Sequence, residues 1–103
     1  LLGIISMTTL HILRQTAFNT QDLHQCLQVS RSQDTIVLID DGCYNLHHKL
    51  LIDIEKDKSI KINVVLEHAK ARAIKVNETR CSIITMSDLV SLTFENKRVI
   101  TWQ

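Results

Sequence analysis

The sequence predicts an α/β domain of three layers, α/β/α, with a largely parallel central sheet of about five strands. Three observations lead there. Short β-branched runs alternate with longer segments of helical periodicity. The runs "TIVLI" (Thr35–Ile39) and "IKINVVL" (Ile60–Leu66) carry little polar alternation, as expected of strands covered on both faces. At 103 residues, 45% hydrophobic and 22% charged, the chain has the size and composition of one globular domain.

In chain order, "TTLHIL" (Thr8–Leu13) is the first strand. Thr20 is the expected N-cap of the first helix, with Asp22 in its first turn. Leu23, Cys26, Leu27 and Ser30 then recur on one helical face. "RSQD" (Arg31–Asp34) turns the chain into the second strand, Thr35–Ile39. Asn45 to Ile54 reads as the second helix, closed by a polar loop, "EKDKS". There Lys56, Lys58 and Lys61 alternate with acids, as in a solvated loop. Ile60–Leu66 is the third strand, and "EHAKARAIKV" (Glu67–Val76) holds a short alanine-containing helix. "CSIIT" (Cys81–Thr85) is the fourth strand. Ser87 is the expected cap of "SDLVSLTFEN", with Asp88 in its first turn, and "RVITWQ" (Arg98–Gln103) closes as an edge strand. Right-handed crossovers gather the strand C-terminal ends on one side, where ligands of open α/β sheets bind, and "DDGCY" (Asp40–Tyr44) lies at one of them.

Composition excludes several classes. A net charge of +1 without a basic stripe argues against a dedicated nucleic-acid binder. No apolar run reaches the roughly 18 residues of a membrane span. "LLGIIS" is too short for a signal h-region, and Met7 is the first candidate start, so residues 1–6 read as an upstream extension or cloning remnant before a domain of residues 7–103. Three cysteines, an odd number with no CxxC spacing, point to reduced thiols and a cytoplasmic location. Two glycines cannot make a P-loop or a dinucleotide fingerprint, and no GxSxG is present. His47 and His48 are adjacent, splayed by about 100° on a helix, and no HExxH occurs. No metal or cofactor is expected.

The remaining polar candidates read mainly as structural. Asp40 and Asp41, adjacent on an extended chain, would point to opposite faces and share no proton or metal. Gly42 reads as a residue able to take positive φ, and Asp41 as a turn residue capping or hydrogen-bonding the backbone, in preference to an acid–base catalyst. Tyr44 is expected to pack near this turn. His11 reads as a hydrogen-bonded core or interface histidine, His24 and His68 as exposed helix residues. Cys81 reads as core, and Cys43, after a turn, as exposed. Cys26 shares the apolar stripe of Leu23 and Leu27, which suggests a small hydrophobe facing the core; a reactive thiol is the competing reading.

Ordered motifs over Thr9–Trp102 resemble the DsrH/TusB family of small sulfur-relay proteins. "LHIL", with His11, resembles the family's opening Leu-His strand, and "TAF" (Thr16–Phe18) stands where many members have Ser-Pro-Phe. "VLIDDGCY" resembles Leu-Leu-x-x-Asp-Gly-Val-Tyr, placing Asp41, Gly42 and Tyr44 at signature positions. "ARAI" (Ala71–Ile74) resembles Ala-Arg-Gly-Ile/Leu, with Ala73 for the glycine. "ITMSDLVSLT" resembles Ile-x-Tyr-x-Asp-Phe-Val-x-Leu-Thr, and Trp102 matches a C-terminal tryptophan.

The resemblance implies a subunit that assembles with DsrE/TusD-like and DsrF/TusC-like proteins in a cytoplasmic heterohexamer. Such complexes pass persulfide sulfur towards 2-thiolation of the tRNA wobble uridine, or serve sulfur oxidation. It implies a sulfur carrier or transfer subunit in place of a self-sufficient enzyme, without direct contact to nucleic acid or membrane; self-association in isolation is an alternative assembly. DsrH-type members carry a cysteine within Leu-x-x-Cys-Leu of the first helix, and "LHQCL" (Leu23–Leu27) places Cys26 there as the candidate persulfide carrier. A thiolate there would attack the outer sulfur of a donor persulfide, releasing the donor thiolate and forming Cys–S–SH. An interface covering the helix face would reconcile such a role with the apolar stripe. Two rivals stand beside it: a non-catalytic structural subunit of the same complex, and a stand-alone small-molecule-binding domain using the Asp40–Tyr44 strand end.

Overall fold

Residues of the central strands divide between two separate hydrophobic clusters, and that division sets the layers. Leu13, Ile36, Leu38, Ile62 and Val64 pack with Leu23, Cys26, Leu51 and Ala69 on one side. Leu10, Ile12, Val37 and Val65 pack with Leu89 on the other. The structure, a computed structural model, describes residues 7–57, 59–77 and 81–103. Its strands are β1 (Thr9–Leu13), β2 (Thr35–Leu38), β3 (Lys61–Val65), β4 (Ser82–Ile84) and β5 (Arg98–Trp102). Its α-helices are α1 (Asp22–Val29), α2 (Lys49–Asp57), α3 (Leu66–Ala71) and α4 (Met86–Glu95), and a 3₁₀ helix spans Asp40–His47.

All strand pairs are parallel, in the order β4-β3-β2-β1-β5. From β1 to β4 the chain steps in one direction, so right-handed crossovers hold α1, α2 and α3 on one face. The return from β4 to β5 runs the other way and lays α4 across the opposite face. This is the three-layer α/β fold expected from the alternation of elements, with a wholly parallel five-stranded sheet in which β5 is an edge.

Local chemistry moves several boundaries. The second α-helix begins at Lys49, not Asn45. The Asn45 side chain is buried and turned back on the loop after β1: its Oδ1 accepts from the Ala17 N–H at 2.8 Å and its Nδ2 donates to the Gln15 carbonyl at 2.9 Å. His48 is extended, and its Nδ1 accepts from the Leu50 N–H at 3.1 Å, capping the new helix. That helix runs to Asp57, through most of the expected polar loop, while Lys58 and residues 1–6 lie outside the described residues. Thr85, not Ser87, caps α4. Its Oγ1 accepts from the Asp88 N–H at 3.1 Å, and Asp88 Oδ2 accepts from the Thr85 N–H at 2.9 Å. A capping box needs its hydroxyl three residues before the acid, which Thr85 satisfies and Ser87 does not. At α1, Thr20 Oγ1 does accept from the Asp22 N–H at 3.3 Å, but the boundary residue is Gln21.

Among the described residues four non-glycines take positive φ, Gln33, Asp40, Ser59 and Ala73, and the last of these ends a helix. Helix α3 stops after Ala71 because the chain closes on itself there. The Ala73 N–H donates to the Lys70 carbonyl and the Ile74 N–H to the Ala69 carbonyl, each at 3.0 Å. This is a Schellman closure, and Ala73 occupies its left-handed position with φ 54°. Gly42 takes no positive φ; Asp40, with φ 49°, does so instead. The glycine is required sterically, since a Cβ at Gly42 would lie 2.0 Å from the Leu13 carbonyl oxygen. The Gly42 N–H also donates to the Arg14 carbonyl at 3.0 Å, pressing the 3₁₀ helix against the end of β1.

Two expectations follow for urea unfolding. Ala73→Gly should raise stability by about 1 kcal/mol, because relief of the left-handed penalty outweighs the added unfolded-state entropy. Gly42→Ala should lower it by about 3 kcal/mol, since the added methyl meets backbone that cannot rotate away.

Candidate functional site

Helix α1 turns Leu23, Cys26, Leu27 and Ser30 inward, and all four are buried. Cys26 is 0% exposed and sits within the larger hydrophobic cluster. Its Sγ lies 3.7 Å from Ser30 Oγ, while the Ser30 hydroxyl donates to the Cys26 carbonyl at 2.8 Å. Burial pushes the thiol up to about 12; the Ser30 contact opposes this, and the charges of Asp34 and Asp22 add to it. One turn before the thiol, Asp22 is itself buried, and among the described residues its Oδ2 has no hydrogen-bond partner. In this arrangement the sulfur is closed to solvent and burial disfavours its thiolate.

The end of β2 holds the other thiol. Cys43 is 0% exposed, contrary to the exposed position expected after a turn, because the 3₁₀ helix folds it under the sheet end. Its Sγ approaches the Leu38 carbonyl at 3.6 Å. Burial pushes it up to about 11, with Arg72 acting against the rise and Asp40 and Asp41 adding to it. Asp40 and Asp41 do diverge. Arg14 Nε donates to Asp40 Oδ2 at 3.1 Å, and Arg72 Nε donates to Asp41 Oδ1 at 2.9 Å. Asp41 therefore holds a side chain of the segment after α3 where a backbone bond had been expected. His68, expected exposed, accepts the Asp40 N–H on Nδ1 at 3.0 Å and supports the strained residue. Tyr44, expected to pack nearby, is 45% exposed. This strand end is a set of structural ties.

His11 is buried between two partners distant in sequence. The Trp102 indole Nε1–H donates to His11 Nδ1 at 3.2 Å. The indole can only donate, so Nε2 carries the ring proton and donates to Asp34 Oδ2 at 3.1 Å. Asp34 also accepts from the N–H groups of Thr9 and Arg31, each at 3.0 Å. Sequence reasoning missed Asp34 and Asn45, and their only signal was a carboxylate or amide next to a strand or turn. Cys81 is buried just before β4. His24 is exposed, and among the described residues no group of three or more His, Cys, Asp or Glu could hold a metal ion. Nor is any helix of the described residues long and apolar enough to cross a membrane.

Comparison with known proteins bears on this scaffold. The family model described as DsrH-like protein matches residues 15–99. The solution NMR structure of protein Tm0979 from Thermotoga maritima superposes with a TM-score of 0.60 at 18% identity, covering 82% of this chain and 91% of that one. No curated protein matches the sequence significantly.

The two core thiols make alkaline stability testable. Both have folded values above the unfolded 9.0, so the folded chain keeps protons that the unfolded chain releases. Their contribution is complete below about pH 9 and is lost as pH rises through about 11 for Cys43 and about 12 for Cys26. Urea unfolding stability should hold steady from pH 7 to 8, then fall by up to about 1.4 kcal/mol per pH unit for each thiol. Cys26→Ala should flatten that alkaline limb, and iodoacetamide at pH 8 should label Cys26 and Cys43 only after unfolding.

Proposed function

Because this chain belongs to the DsrH-like family of sulfur-relay proteins, we propose that it is a non-carrier subunit of a heteromeric sulfur-relay complex. Its partners are DsrE/TusD-like and DsrF/TusC-like proteins in the cytoplasm. The complex passes persulfide sulfur towards 2-thiolation of the tRNA wobble uridine; sulfur oxidation is the alternative destination, decided by the partners present. In this reading the persulfide travels on a partner's cysteine, and this chain shapes and covers the path.

The enclosure of Cys26 carries the non-carrier role. A relay thiol must reach a donor sulfur and ionise; Cys26 sits in the relay position of "LHQCL" yet is fully buried and protonated at neutral pH. The residues that carried the family resemblance support a scaffold as well. His11 bonds Trp102, Asp41 pairs with Arg72, Gly42 permits a close backbone approach, and Asp88 completes a cap. A surface suited to partners is present on α4. Met86, Val90 and Phe94, at i, i+4 and i+8, form an apolar stripe, with Val90 55% and Phe94 85% exposed.

Co-expression with the two partner types should yield a stable complex. Val90→Asp with Phe94→Asp should abolish co-purification while leaving the fold of the isolated chain intact, as both side chains are exposed. A complex carrying Cys26→Ser should transfer sulfur at the wild-type rate, and mass spectrometry after loading with a persulfide donor should find the added sulfur on a partner. Sulfur recovered on Cys26, together with loss of transfer in Cys26→Ser, would assign the carrier role to this chain instead.

A further inference from the structure

We propose that a cleft at the amino-terminal end of β1, β2 and β5 binds a small phosphate monoester with an apolar body. The cleft has a volume of about 530 Å3, within the roughly 300–1,000 Å3 of small-molecule sites. It lies at the opposite end of the sheet from Asp40–Tyr44, and Cys26 is not among its lining residues, so it stands apart from the sulfur chemistry.

Three cationic residues line it: Arg31, Lys97 and Arg98. They come from two segments far apart in sequence but are knitted to the start of β1. The Thr8 carbonyl accepts the N–H groups of Lys97 and Arg98, at 3.0 and 3.4 Å. The Asp34 carboxylate joins the backbone of Thr9 to that of Arg31. The three backbones are thus held around two consecutive residues, and their side chains are exposed. Among the described residues none of the three head groups has a hydrogen-bonded or ion-paired partner. Asp34 is the one carboxylate in the lining. It is buried, and its oxygens already accept from Thr9, Arg31 and His11. The lining therefore sets three cationic side chains against one buried carboxylate, on a chain whose net charge is only +1.

A phosphate monoester suits this chemistry, because its oxygens can take charge-assisted bonds from two guanidinium forks and an ammonium. The lining also includes Met7, Val29 and Ile100, of which Met7 and Val29 are well exposed. These supply apolar contact for the organic part of the ligand and favour an ester over the bare ion.

The test is an NMR amide-shift titration of the full chain with phenyl phosphate, phenol and inorganic phosphate at constant ionic strength. Phenyl phosphate should shift the amides of Thr9, Arg31, Gln33 and Arg98 saturably. Phenol and inorganic phosphate should each bind at least about tenfold more weakly. Arg31→Gln with Arg98→Gln, at exposed positions, should preserve the amide spectrum elsewhere and weaken phenyl phosphate by about tenfold or more. No saturable shift at millimolar phenyl phosphate, equal affinity in the double variant, or inorganic phosphate binding as tightly as the ester would each overturn the proposal.

Discussion

A parallel sheet has two apolar faces to bury, and a chain this short has few helices with which to cover them. Strand order decides how the helices are shared. Because β1 to β4 step in one direction, three helices fall on one face, and only the return crossover to β5 supplies the other. The well-covered face accordingly holds the larger cluster, including Cys26, Cys43 and Cys81. The second face relies on Leu89 of α4, with Leu92 and Ile84 partly buried beside it. Val99 of β5 and the Met86–Val90–Phe94 stripe are left in solvent. The asymmetry of the topology thus connects an enclosed thiol on one side with an unpartnered apolar surface on the other.

That asymmetry also clarifies why the chemistry-bearing residues look the way they do. Burial on the three-helix face raises both Cys26 and Cys43 far from physiological pH. The same enclosure demands that polar groups nearby be satisfied. Asn45 meets the demand by bonding the loop after β1 at both Gln15 and Ala17, and Ser30 by returning its hydroxyl to the helix backbone. Asp22 Oδ2 is the one buried side-chain oxygen left without a partner among the described residues. An aspartate one turn before a buried thiol adds to the barrier against thiolate formation.

Asp34 performs the corresponding work at the other end of the sheet. Its two oxygens hold the first residue of β1, the turn before β2 and the buried His11 ring, whose second nitrogen takes the Trp102 indole of β5. One carboxylate therefore registers three adjacent strands. These bonds leave it without contact to the neighbouring arginine and lysine head groups, while its negative charge remains in the lining. The cleft's electropositive character comes from Arg31, Lys97 and Arg98 outnumbering that single acid.

The fold was legible because it rests on periodicities that residues display directly. The apolar runs of β2 and β3 announce two-sided burial, and Leu23, Cys26, Leu27 and Ser30 announce a helix face. Asp88 marked the start of α4, though its true cap, Thr85, depended on a reciprocal bond that only backbone geometry reveals. The candidate site was less legible. His11 and Trp102, or Asp41 and Arg72, stand in separate motifs, and nothing in either segment states that they meet. Whether Cys26 looked inward to a core or outward to a partner turned on which strands lie beneath α1. Side-chain periodicity is a property of neighbouring residues, so the sequence by itself determined the elements and their apolar faces. Burial, pairing and ionisation depend on groups brought together from across the chain, so only the tertiary structure decided which thiols are closed, which carboxylates are spent and which surface remains open.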